Sequence, residues 1–382
     1  MKKLNYIIGL IVILAGGTAC KEVYSPPVTP TSTNLLVVDG IIVNGNDSSI
    51  IIISRTRTIQ DSAPSVKESS AKVSVVGVNG VEYSFMDMGA GRYTTDQLHL
   101  DITQTYQLKI ITTDGNEFRS ALEKVFTSPP IDSLYWQQNS AGVSIYLNTK
   151  DPSNNSKYYR WQYEETWEYH SAFNSTLIYT GPVGQYVPRP ISDQIFRCYH
   201  TVPSSTIEVL STTQLSSNVV HAYEVTIIPA GSEKISEGYS NLVKQYAITA
   251  DAFNYWQNLK KNTEQLGSLF DLQPFSELGN IRCLNNPALK CIGFISFSSV
   301  TQKRIFVSKN DLNSWGYQPY YGACSFSTLK PAETDALFQP PGGPYFNSLV
   351  GSDYKGNLQV ASNLCADCTQ NGGTTIKPPF WP

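Results

Sequence analysis

Charged side chains are scarce in this chain. Only 15% of its 382 residues are Asp, Glu, Lys or Arg, and the formal net charge is −3. A nucleic-acid binder would carry a basic patch or stripe, and none is present. A coiled coil or long helical bundle would be rich in Glu, Lys, Ala and Leu, and this chain is not. Histidine is scarcer still, at four residues. His99, His170, His200 and His221 form no HExxH pair, and no two stand at i, i+4. GxSxG, GxxxxGK[ST] and GxGxxG are also missing, so the usual signatures of hydrolases, P-loop enzymes and dinucleotide binders are excluded. Glu164 and Glu165 are adjacent, so on a strand they point to opposite faces and cannot act as an acid/base pair. Asp151 with Ser153, Asn154 and Asn155 departs from the calcium-loop pattern at its glycine and terminal glutamate and reads as a solvated turn. The chain reads as non-enzymatic, with no cofactor, no metal and no nucleic-acid partner.

A long apolar run is found only at the start, and there it is short. Lys2 and Lys3 precede the apolar stretch Ile7 to Ala15, and small residues lead into Cys20. That is a secretory leader, 1–19, rather than a membrane-spanning helix. A cysteine directly after the small residues marks Cys20 as the lipidated first residue of the mature chain. Losing Lys2 and Lys3 with the leader makes the formal charge −5. Residues 20–33 follow as a Pro/Thr/Ser-rich tether. About 360 residues remain, enough for two domains.

Aromatics, Ser, Thr, Asn, Gly and Pro are plentiful, as in an exported β-rich protein. Residues 34–127 read as a β-sandwich. Leu35 to Val38 and Ile41 to Val43 flank Asp39-Gly40, and Ile50 to Ile53 is a continuous apolar strand. Lys72 to Val78 and Val81 to Phe85 flank Asn79-Gly80, the signature of a type I′ hairpin. Tyr106 to Thr112 turns at Asp114-Gly115 into Glu117 to Ser120. Pro129-Pro130 marks a boundary, and residues 131–382 read as a second β-rich domain with one helix, 250–266. Thr249 caps that helix and Gly267 ends it. The loop-rich tail holds three cysteines.

In Tyr158 to Tyr169, the rings of Tyr159, Trp161, Tyr163, Trp167 and Tyr169 share one face with Glu165. Such a stripe either packs a sandwich core or forms a platform that captures a glycan or peptide. A carboxylate on a core face would need a partner. With Cys20 lipidated, Cys198, Cys283, Cys291, Cys324, Cys365 and Cys368 remain. An even number in an exported chain points to as many as three disulfides. Zinc is the rival reading, but Cys365-Ala-Asp-Cys368 has no second CxxC to face it.

Several segments of the C-terminal half carry a resemblance. They include Tyr255-Trp256, Leu259 to Glu264, Gly267 to Asp271, Gln273-Pro274 and Gly279 to Ile281. Gly293-Phe294, Ser298 to Val300, Arg304 to Phe306, the CxxC, Gly372 to Thr374 and the closing Lys377-Pro-Pro-Phe-Trp381 continue it. Together they resemble the Bacteroidota outer-membrane lipoprotein family described as domain of unknown function 4249, over nearly all of the mature chain. The first module, with its strand pair, Gly91-Arg92-Tyr93 and Tyr106-Gln107-Leu108, also resembles transthyretin-like or carboxypeptidase-regulatory-like domains. The resemblance implies an all-β outer-membrane lipoprotein that works with TonB-dependent β-barrels and other lipoproteins, and carries no catalytic residues over. An acidic residue close behind the lipidated cysteine directs such proteins to the cell surface, and Lys21-Glu22 is similar to a short form of that signal. Gly17 stands where such leaders carry leucine. The sequence is thus read as a lipid-anchored, surface-exposed accessory subunit of an outer-membrane barrel complex, for transport or outer-membrane protein handling.

Overall fold

The computed structural model describes residues 34–57, 65–181, 185–264, 278–316, 324–338 and 347–382. The leader, Cys20, Lys21, Glu22 and the tether lie outside the described residues. The architecture is all-β, built of several sheets.

The first strand, Leu36–Val43, runs unbroken through Asp39-Gly40, so that pair is not a turn. A Cβ at Gly40 would lie 2.4 Å from the carbonyl oxygen of Ile50. Glycine therefore lets this strand close onto Ser48–Arg55, its antiparallel neighbour. Ser48–Arg55 pairs in turn with Arg92–Gln97. A second layer has Thr105–Ile111 between Lys72–Gly77 and Glu117–Ser120. Ile51, Ile53, Val75, Tyr93, Tyr106 and Phe118 fill the space between the layers. The Asn79-Gly80 hairpin exists, but only Gly80 takes a left-handed φ, +81°. Gly77 N–H donates to the Val81 carbonyl at 2.9 Å, and Gly80 N–H donates to the Gly77 carbonyl at 2.9 Å. The loop is thus three residues closed by a left-handed glycine, and not the type I′ turn that needs two.

The first module is not continuous in sequence. Residues 278–298, expected in the second domain, return to it. Ile281–Cys283 adds antiparallel to Glu117–Ser120, and Cys291–Ile292 adds parallel to Leu36–Val43. Phe297–Ser298 lies parallel to both Leu36–Val43 and Glu123–Phe126, joining the two layers. The cause is burial: Ile281, Cys283, Cys291, Ile295 and Phe297 complete the first core.

The second module is also a sandwich. One sheet is Ile131–Asn139, Gly142–Lys150 and Val219–Pro229. The other is centred on Tyr158–His170. Arg197–Pro203 and Glu208–Ser211 flank it on one side; Gly238–Ala247, then Val300–Ser308, flank it on the other. The helix Ala250–Glu264 starts as expected, with the Thr249 hydroxyl accepting from Ala252 N–H at 3.1 Å. Its expected end at Leu266 and Gly267 lies outside the described residues. Ala252, Phe253, Tyr255 and Trp256 are its buried side, set against Ile41, Val43 and Tyr246 in a core that joins the two modules.

A small tail sheet completes the fold. Gln185–Pro188, Leu177–Gly181, Asn347–Ser352, Leu358–Ser362 and Phe326–Leu329 lie side by side in that order. Its core is little more than Leu349, Leu358, Val360 and Phe338. Disulfide Cys324–Cys365 staples the tail to itself, and Cys198–Cys368 holds it to the strand Arg197–Pro203 of the central sheet. The last residues lie on the outer face of the central sheet. Trp381 packs edge-on against Tyr199 and Phe306, and Arg304 sits 3.5 Å above the Phe380 ring.

Candidate functional site

The aromatic stripe is core. Tyr159, Trp161, Tyr163, Trp167 and Tyr169 are 0% to 8% exposed. Their polar atoms are mostly bonded inside the fold. Tyr159 OH donates within 2.9 Å of the Ser156 carbonyl and Asn218 Oδ1, and Trp161 Nε1 donates to Gln245 Oε1 at 2.9 Å. Tyr169 OH donates to the Cys368 carbonyl at 2.7 Å. A platform for glycan or peptide would need these rings in solvent, and the second sandwich covers them instead. That correction removes the five residues as a ligand site. Glu165, the carboxylate in the stripe, has the partners a core position requires. Lys234 Nζ lies 2.6 Å from Oε2 and Tyr239 OH donates to Oε1 at 2.8 Å. Burial, with Glu165 beside it, pushes the Tyr239 phenol well up.

The cysteines divide four and two. Cys198 bonds Cys368, and Cys324 bonds Cys365. The two cysteines of the CxxC therefore each reach a distant partner, which also rules them out as zinc ligands. Cys283 and Cys291 are free and buried, a correction to their reading as bridge candidates. They sit in the first core as small apolar residues. Burial pushes the Cys291 thiol up to about 12, so it is no nucleophile.

Histidines and acids assemble no metal centre among the described residues. His200 stacks on Trp167 with centroids 4.6 Å apart. His170 Nε2 faces Glu237 at 3.4 Å. His99 and His221 are exposed. Asp151 is buried in its turn rather than solvated. It accepts from Ser153 N–H at 3.0 Å and Ser156 N–H at 2.7 Å.

Two cavities lie where the modules meet. The larger, about 1240 Å³, is walled by the first module around Arg119 and Glu123, by the return segment around Asn280, and by the helix at Asp251 and Tyr255. Burial raises the Glu123 carboxyl to about 7. Asn280 Nδ2, 3.4 Å from its Oε1, works against that rise, and the Asp251 charge adds to it. A half-buried acid whose carboxyl is raised toward neutrality in a large concavity makes this a candidate binding site. The smaller cavity, about 290 Å³, runs between Asp39, Ile50 and Ile52 of the first module and Gln162, Glu164 and Lys244 of the central sheet. Sequence reasoning missed both. Glu123 looks like any strand carboxylate, and its walls come from three separated stretches of chain. Only the outward-facing isoleucines of the Ile50 to Ile53 run hinted that something covers that face.

Comparison with known proteins agrees with the residue patterns as far as residue 304; the CxxC, Gly372 to Thr374 and the closing Lys377-Pro-Pro-Phe-Trp381 lie beyond the matched span. No curated protein matches the chain. The model of the family described as "Domain of unknown function (DUF4249)" matches residues 21–304. That span holds the first module, both cavities and the central sheet up to the middle of Val300–Ser308, and the chain belongs to the DUF4249 family.

Proposed function

We propose that this protein is a non-enzymatic, lipid-anchored accessory subunit of an outer-membrane β-barrel complex, held at the cell surface through Cys20. Two disulfides suit an oxidising, extracytoplasmic setting, and the leader reading supports export. The observation that carries the binding role is the free edge of the tail sheet. Gln185–Pro188 is its terminal strand, pairing with Leu177–Gly181 alone among the described residues. Tyr186 and Val187 on it are exposed, and Ile191 just beyond is 91% exposed. A sheet edge with apolar side chains is a template for strand addition by another chain. A strand or loop of a barrel or a second lipoprotein would fit it.

The test is purification of tagged protein in mild detergent from its native membrane. A heat-modifiable β-barrel should co-purify in stoichiometric amount. Placing Lys at Tyr186 and Val187 should weaken that association by at least tenfold, as charges on an interface edge do. A clean monomer in every detergent and salt would overturn the reading.

A further inference from the structure

The smaller cavity is a crevice between two sheet faces. On the first module, Asp39 stands opposite Ile52, and Ile50 lies two residues along on the same face. On the central sheet, Lys244 stands opposite Gln162, with Glu164 and Tyr246 to either side of that pair. Asp39 and Ile50 are exposed, so the crevice is open to solvent.

The polar groups that line it are largely uncommitted. Asp39 and Lys244 make no hydrogen bond or ion pair among the described residues. Glu164 meets only Arg304, whose Nη2 stands 3.9 Å from its Oε1. Arg160 acts on Asp39 through space, without an ion pair. Tyr246 is 4% exposed, yet its hydroxyl has no hydrogen-bond partner among the described residues. Burial pushes that phenol up to about 12, so it keeps its proton. Native folds pair their buried polar groups, so a hydroxyl left over on the wall of an open crevice is available to whatever enters.

Two carboxylates against one ammonium give the lining an excess of one negative charge. That excess repels an anion and draws in a cation. Lys244, a donor with no acceptor, calls at the same time for a carbonyl or carboxylate oxygen. Ile50 and Ile52 supply an apolar wall. The first residue of a peptide carries all three matching parts: an ammonium, an adjacent carbonyl and a side chain. Its single positive charge also cancels the excess, which a free amino acid with its own carboxylate does not.

We propose that this crevice captures the free N-terminus of a peptide that begins with an aliphatic residue. The ammonium donates to Asp39 and Glu164, and the Tyr246 hydroxyl accepts its third N–H. The first carbonyl accepts from Lys244, and the first side chain lies against Ile50 and Ile52. A volume of about 290 Å³ is at the small end of ligand pockets and suits a chain end rather than a folded surface. The site does not depend on where the chain is anchored or on the tail-sheet edge, so its failure and theirs are separable.

Titration of the whole purified protein, followed by NMR or calorimetry, tests this with leucyl-glycyl-glycinamide, its N-acetylated form, free leucine and 3-methylbutylamine. The free peptide should bind at least about tenfold more tightly than the acetylated one, the effect expected of a charge-assisted pair. Its binding should fade as pH rises through about 8, where an α-ammonium group loses its proton. Asp39→Asn and Glu164→Gln, both at the open side of the crevice, should each weaken it several-fold. Lys244→Met should erase the preference for the peptide over 3-methylbutylamine, which has the ammonium and the stem but no carbonyl. Lys290→Ala, in the larger cavity, should change nothing. The proposal falls if the free and acetylated peptides bind alike, if neither binds below about 10 mM, or if Asp39→Asn and Glu164→Gln both leave the preference intact. Tighter binding of free leucine than of the peptide makes the occupant an amino acid and overturns the assignment to a chain end.

Discussion

Trp161 shows how a single ring can serve the core and specify it. It stacks on Tyr223 with centroids 4.4 Å apart and gives its N–H to Gln245, itself bonded to the Pro129 carbonyl at 2.7 Å. Trp161→Ala should cost about 3–5 kcal/mol through lost burial and a cavity, read as a shift of the denaturation midpoint. A change under 1 kcal/mol would mean that the ring is not core. Glu123 offers a different residue-scale test. Its folded pKa, about 7, lies above the ordinary value of 4.5. The native state therefore binds its proton more tightly than the unfolded chain does. Stability from this group is full below about pH 4.5 and is lost as pH rises through 7. Thermal scans should show Tm falling across that window, and Glu123→Gln should flatten the fall. An unaltered pH profile in the variant would show that Glu123 is not desolvated.

At the scale of elements, what was legible depended on how local its cause is. Period-2 alternation placed Tyr158–His170 and its aromatic face, because the signal lies within one strand. The opposite face was not legible. Arg160, Thr166 and Glu168 are buried there, in part by a helix some 90 residues later and by the chain terminus, and nothing within the strand encodes either cover. Asn79-Gly80 announced a hairpin but not its turn type, which depends on whether Asn79 joins Gly80 in the left-handed region. Cysteine parity counted correctly for four residues and failed for Cys283 and Cys291, since an even number cannot distinguish a bridge from a buried thiol. Pairing across 170 and 41 residues was equally beyond local reading. Those bridges carry an element-scale prediction. The tail sheet has a small core, so replacing Cys324 and Cys365 together by Ser should destabilise it by about 2–5 kcal/mol. Limited proteolysis should then cut the tail while leaving the two sandwiches intact. Simultaneous loss of the whole fold would show that the tail is not a separable unit.

At the scale of the whole molecule, the return of residues 278–298 decides how the protein is divided. A sandwich read as 34–127 lacks three of its strands. Its layers are joined by Phe297–Ser298, and its core is open where Ile281, Cys283, Cys291 and Ile295 belong. Asn280 fixes that segment. It donates to the Ile295 carbonyl at 2.9 Å and accepts from Ile295 N–H at 2.9 Å. The same return forms one wall of the larger cavity, and the core around Ile41, Tyr246, Trp256 and Phe294 ties it to the helix. The two modules are thus folded through one another, with both cavities as consequences of that closure. A fragment of residues 34–127 should therefore remain unfolded or aggregate, since it exposes apolar surface that the native chain covers from 150 residues away. Joining residues 278–299 to its end through a flexible linker should restore cooperative unfolding and dispersed NMR signals. If the short fragment folds alone with a sharp transition, the return strands are an attachment to a finished sandwich. The cavity they wall would then be separable from the stability of the first module.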